Sequence, residues 1–104
     1  MKMVIAIIRP PRVKAVVDSL LEAGVKGVTV SEVRGYGEQK GGYRAHTIPH
    51  SKLEVVIEDK QINEICEIII TSAQTGEAGD GIIILQPVYE MIRIRTGRTG
   101  PKAL

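Results

Sequence analysis

The chain has 104 residues, 43% apolar and 25% charged, with a net charge of +2. That is one domain, residues 1–104, of ordinary globular composition, and no apolar run approaches the roughly 18 residues that a membrane span needs. A balance of 14 basic to 12 acidic residues points away from nucleic acid, three Tyr without Phe or Trp leave no base-stacking platform, and a single Cys excludes an internal disulfide framework. The lone Cys fits a reducing compartment, and the N-terminus runs straight into strand-like residues without a leader, so a cytoplasmic location is expected.

A β-branched run over residues 4–8 predicts the first strand. Pro10 and Pro11 suit a first helical turn. Val13, Val16, Val17, Leu20, Leu21 and Gly24 then fall at offsets 0, 3, 4, 7, 8 and 11, one apolar stripe of an amphipathic helix that Gly24 stops. Residues 28–33 predict a second strand. Residues 35–51 hold four Gly and one Pro and show no period, so they read as a long exposed loop. Loops beyond about 12 residues are uncommon in compact domains and usually functional. Partner contact or ligand closure therefore stands against an inert hairpin extension.

Residues 53–57 predict a third strand. Ile62, Ile65, Cys66, Ile69, Ile70 and Ala73 repeat the helical offsets 49 residues after the first set. Asp59 is the expected N-cap, Gly76 lies just past the end, and Cys66 on the stripe reads as a small buried hydrophobe. Residues 82–85 predict a fourth strand and 91–95 a short additional one. The order βαβ–βαβ is an α+β, ferredoxin-like double unit. Two helices cover one face of such a sheet. The other would carry Ile, Val and Leu into water, a patch rare on soluble monomers, which predicts a homo-oligomer with its sheets facing inward.

The segment Thr75-Gly76-Glu77-Ala78-Gly79-Asp80-Gly81 lets backbone N–H groups approach an anion closely. No Gly-Lys-Ser/Thr follows, so it is not a P-loop, and a plain turn fits it as well. Arg93 and Arg95 lie two apart in a strand-like run and would share a face about 7 Å apart. That suits a polyphosphate, and equally a solvated or salt-bridged edge strand. Gly35-Tyr36-Gly37 ends the second strand; Gln39 beyond it could coordinate a hard cation or hold a ligand amide or carboxylate, or the stretch is a bulge and turn. His46 and His50 are four apart with Pro49 between them, which argues against a helical metal pair. No Ser/His/Asp or Cys/His arrangement stands out. Glu54 alternates with Leu53 and Val55, and is an edge carboxylate or an acceptor for a ligand amine.

With these motifs in order, the chain resembles the PII signal-transduction family over nearly its whole length. MKMVIAIIRP is similar to that family's first strand, and GVTVSEVRGYGEQKG to its second strand and the base of its large T-loop. TGEAGDG matches its second signature, and MIRIRTGRTG stands where the family has VIRIRTGETG. The resemblance implies a ferredoxin-like homotrimer with ATP or ADP in clefts between subunits. It implies a T-loop that signals to a target transporter or metabolic enzyme, without membrane insertion or catalysis. Gly35, Gly37 and Gln39, with Tyr36 and Glu38 between them, would line the phosphate side. Ile7, Thr29 and Glu54 would lie near the adenosine. Gly79, Asp80 and Gly81 would contribute backbone and side-chain contacts, and Arg93 and Arg95 would reach phosphates across the subunit boundary. Lys40, Gly41, Gly42, Tyr43, Arg44, Ala45, His46 and Thr47 would form the partner-contacting loop.

Departures from the family pattern alter that expectation. Glu38 replaces an Arg, while His50 and Ile82 each replace a Lys; the loop is several residues shorter and lacks the Tyr-Arg-Gly-Ala-Glu-Tyr modification motif, with Tyr43-Arg44-Ala45 only an echo. Each charged hydrogen bond lost is worth ~1.5–3 kcal/mol. ADP or AMP should therefore compete with ATP better than in typical members, with the γ-phosphate and its Mg²⁺ most affected. His50 also puts a 2-oxoglutarate response in question. Two other readings follow from the same departures: a trimer that has lost its ligand, and a slow ATPase using Glu38.

Overall fold

The computed structural model describes residues 1–37 and 47–104. The elements run β1 (Lys2–Ile8), α1 (Val13–Glu22), β2 (Thr29–Gly35), β3 (Ile48–Ile57), α2 (Ile62–Ala73) and β4 (Gly81–Pro87), with a short 3-10 turn leading into each helix. The four strands form one antiparallel sheet in the order β2-β3-β1-β4. This is the expected α+β, ferredoxin-like arrangement.

Period-two alternation decides which strand residues meet the helices. Val4, Ala6 and Ile8 of β1 and Leu53, Val55 and Ile57 of β3 are buried, and they pack on Val16 and Leu20 of α1 and Ile65, Ile69 and Ala73 of α2. Val16 and Leu20 of the first stripe have their counterparts 49 residues on in Ile65 and Ile69. Burying each such aliphatic side chain contributes roughly 1.5–3 kcal/mol. Ser51 is a polar residue fully buried on this face, and its hydroxyl donates to the Glu32 carboxylate at 2.9 Å. The offset-8 positions of both stripes, Leu21 and Ile70, remain 48% and 45% exposed. The buried stripe is thus narrower than the sequence period suggests. Cys66 likewise is half-buried rather than buried, and desolvation pushes its thiol above the ordinary value.

Among the described residues no helix covers the opposite face of the sheet. Ile5 pairs with Glu54 and Ile84, and Ile7 with Lys52 and Ile82. Ile82 and Ile84 are 57% and 42% exposed. The apolar open face expected from the sequence is therefore present.

The strands run a few residues beyond the expected bounds, and three larger differences from the sequence reading stand out. β2 runs to Gly35 and β3 starts at Ile48, so the 35–51 loop contracts to a connection between those residues. Pro49 stands inside β3, opposite Arg34, beyond the last β1 partner Ser51. There β3 is bonded to β2 alone, and a residue lacking an N–H is tolerated. The N-cap before α2 is Glu58, not Asp59. Glu58 and Gln61 form a reciprocal capping box, and the Glu58 N–H donates to Gln61 Oε1 at 3.0 Å. Finally, residues 91–95 make no extended strand. Ile92 forms a single bridge to Thr99, and the Gly97 N–H donates to the Arg93 carbonyl at 2.7 Å, closing a turn where the alternating Ile and Arg suggested extension.

Candidate functional site

The predicted residues gather at two ends of the sheet. At the first end, Ile8 of β1 pairs with Gly81 of β4 and Ser51 of β3, and Gly35 of β2 faces Ile48. Residues 75–80 form a loop there, organised by one carboxylate. Asp80 accepts from the backbone N–H groups of Thr75 and Gly76, each at 2.9 Å, from the Thr75 hydroxyl, and from Arg9 Nε at 3.0 Å. Arg9 Nη2 also donates to the Ala78 carbonyl at 2.6 Å. Both Asp80 oxygens are thus committed to the loop. Its side chain shapes the turn and holds the backbone of Thr75 and Gly76 in place.

Arg9 is absent from the sequence reading. Its signal was faint: one cation immediately before Pro10-Pro11, where β1 ends. His50 joins the same end of the sheet. Its two ring nitrogens lie 3.3 Å from the carbonyl oxygens of Ile48 and of Gly79. A neutral imidazole donates to one of them, a protonated one to both.

The hydrogen bond from Thr75 and the guanidinium of Arg9 hold the Asp80 carboxyl far below its ordinary value of 3.8. Because the folded-state value is depressed, the stabilisation is complete above the ordinary value and is lost only as pH falls through the lower folded value. We therefore expect the Thr75 and Gly76 amide resonances to hold position as pH is lowered through 3.8. An NMR titration showing these amides moving with a midpoint at or above that pH would contradict the assignment.

The second end holds an open cleft of about 840 Å³ between the α1–β2 connection, the end of β3 and the C-terminal segment. Thr29, Glu54, Arg93 and Arg95 all line it. The Arg93 N–H donates to the Arg98 carbonyl at 2.8 Å, and Arg93 Nε donates to the Ala103 carbonyl at 2.8 Å. These bonds, rather than a strand, position the arginine pair. The cleft falls in the 300–1,000 Å³ range common for small-ligand sites.

Along β2 the distance from Thr29 to Gly35 is about 20 Å, at ~3.3 Å per residue. One chain therefore separates Gly35 and Gly37 from Thr29, Glu54 and the cleft that Arg93 and Arg95 line, while Ile7 lies between the two ends, two residues along β1 from Ile5, the partner of Glu54. Tyr36 is exposed beside Gly35, and Thr47 lies just before β3, where its hydroxyl oxygen accepts from Arg34 Nη1 at 3.2 Å. Glu38, Gln39 and residues 40–46 lie outside the described residues. Among the described residues no three His, Cys, Asp or Glu side chains cluster as metal ligands, and no helix is long and apolar enough to cross a membrane.

The comparisons with known proteins bear on this arrangement directly. A family model described as nitrogen regulatory protein P-II matches residues 1–98. The chain belongs to the nitrogen regulatory protein P-II family. It is 44% identical to nitrogen regulatory protein P-II 2 of Methanothermobacter thermautotrophicus, over all of this chain and 97% of that one. It is also 44% identical to the P-II protein of Microchaete diplosiphon, over the whole of both chains. Among solved structures, the crystal structure of Arabidopsis thaliana PII bound to citrate superposes with a TM-score of 0.88 at 44% identity, covering 99% of this chain and 91% of that one. This P-II chain is thus a signal-transduction protein of nitrogen regulation, on a ferredoxin-like fold.

Proposed function

We propose that this P-II chain is a homotrimeric, cytoplasmic sensor of adenine nucleotides. ATP, ADP or AMP would bind where the two ends of neighbouring subunits meet, and residues 40–47 would carry the response to a target transporter or enzyme. The observation that carries the reading is the split of the candidate residues between opposite ends of one sheet. Glycine-rich backbone sits at one end and the arginine pair lines a cleft at the other, and the two ends of β2, Thr29 and Gly35, are about 20 Å apart. A second copy bringing its arginine end to the first copy's glycine end completes the site. The bare face of Ile5, Ile7, Ile82 and Ile84 gives copies a reason to associate.

The ligand acts by population shift: it must bind one loop state better than another. A cleft rich in basic side chains suits a polyanion, and the similar Arabidopsis structure is bound to one, citrate. Sedimentation equilibrium and calorimetry with ATP, ADP and AMP test the proposal together. A trimer with saturable binding of at least one nucleotide is expected. A monomer would overturn the shared cleft, and an intact trimer silent to all three would overturn the nucleotide assignment and favour a trimer that has lost its ligand. Phosphate release above background would make the chain an ATPase.

A further inference from the structure

Lys26, Arg93, Arg95, Arg98 and Lys102 all line the cleft at the second end of the sheet. Among the described residues none of these five cations is in an ion pair; the ion pairs present involve other basic groups. Two acidic side chains, Glu54 and Glu58, and the C-terminal residue Leu104 line the same cleft, and Glu58 is already 3.6 Å from Lys60. Folding has therefore gathered like charges around one opening, an arrangement that raises the local concentration of anions.

The five are not equivalent. Arg93 spends its Nε on the Ala103 carbonyl. Lys26 and Lys102 carry compact ammonium groups on flexible stems. Arg98 is fixed by its backbone: its carbonyl accepts from the Arg93 N–H at 2.8 Å and its N–H donates to Thr96 Oγ1 at 3.2 Å. The turn thus carries Arg98 across from Arg93, while the Arg98 guanidinium makes no hydrogen bond among the described residues. Its planar fork of five donors is left whole, which is the geometry that grips a phosphate or carboxylate in two-point fashion.

We propose that Arg98 is a specificity-determining residue of this cleft, clamping with Arg95 a ligand group that bears two or more negative charges. The inference rests on the nucleotide reading above and names the group within it: the phosphate chain beyond the α-phosphate. Arg98 then favours ADP and ATP over AMP and adenosine.

The test is calorimetry on the full chain and its Arg98→Gln, Arg98→Lys and Arg98→Glu variants with adenosine, AMP, ADP and ATP. Arg98→Gln is expected to raise the Kd for ADP and ATP about tenfold and leave adenosine unchanged. Arg98→Lys should recover part of the loss, and Arg98→Glu should lose more than the neutral variant. The salt dependence of ATP binding should be shallower in Arg98→Gln. Nucleotide binding by the native chain with ADP and ATP affinities unchanged in Arg98→Gln would overturn this inference alone. So would an equal loss for adenosine and ATP, which is a packing role, or an oligomer that falls apart in Arg98→Gln, which is an interface role. A native chain that binds none of the four ligands would overturn the nucleotide reading and this inference with it.

Discussion

Gly81→Ala is expected to cost about 3 kcal/mol or more of stability and to lower the melting temperature by roughly 12 °C or more. Gly81 has φ +106°, and a Cβ built there lies 1.7 Å from the Ile7 carbonyl oxygen and 2.8 Å from its carbon. Those atoms are backbone of the central strand β1, so they cannot swing aside as a long side chain would. The β1–β4 ladder, which begins at Ile8 and Gly81, must open to admit a methyl group. Gly76 supplies the control. It has φ +90° in the same loop, and among the described residues nothing lies within 4 Å of its Cβ position. Gly76→Ala should bear only the left-handed backbone penalty, about 1–2 kcal/mol. Thermal unfolding followed by circular dichroism separates the two; equal shifts would show that the close approach at Gly81 is relieved elsewhere.

The second large effect is on the ligand. Arg93→Ala with Arg95→Ala should weaken nucleotide binding at least 100-fold, because two charged hydrogen bonds at ~1.5–3 kcal/mol each are removed. The double variant is not a clean probe of phosphate contact. Arg93 also holds the Ala103 carbonyl at 2.8 Å, so its loss loosens the turn that places Arg95. Arg95→Ala alone makes the distinction. A loss on the order of tenfold or more in Arg95→Ala, with unchanged melting, marks direct contact. Full affinity in Arg95→Ala beside a large loss in Arg93→Ala would reduce the pair to one structural arginine.

The helices and four strands were legible because each buries one face against the same core, and the 3.6 and 2.0 periods record that burial in the order of residues. The repeat of Val16 and Leu20 in Ile65 and Ile69 is the clearest case. The Gly-rich turn at 75–81 was legible as a turn, since its glycines announce special backbone geometry.

Roles set by non-local partners were not legible. Nothing near Asp80 in the sequence announces that its carboxylate also accepts from Arg9, 71 residues away, besides Thr75 and Gly76. The Ile-Arg-Ile-Arg run satisfied the strand period, yet a strand also needs a neighbouring ladder. Residues 91–95 find one bridge and a turn instead. Arg98, Lys26 and Lys102 show no common pattern along the chain and share a cleft only in three dimensions.

What the order of amino acids determined on its own was local: which segments coil or extend, which face of each is greasy, and which motifs mark a P-II protein. The tertiary structure alone decided which charges meet, which carboxylate is already occupied, and that the glycine end and the arginine end lie apart in one chain. The reason is physical. Periodicity reports a residue's immediate neighbours, whereas an ion pair or a binding cleft depends on distances that exist only once the sheet has closed its register.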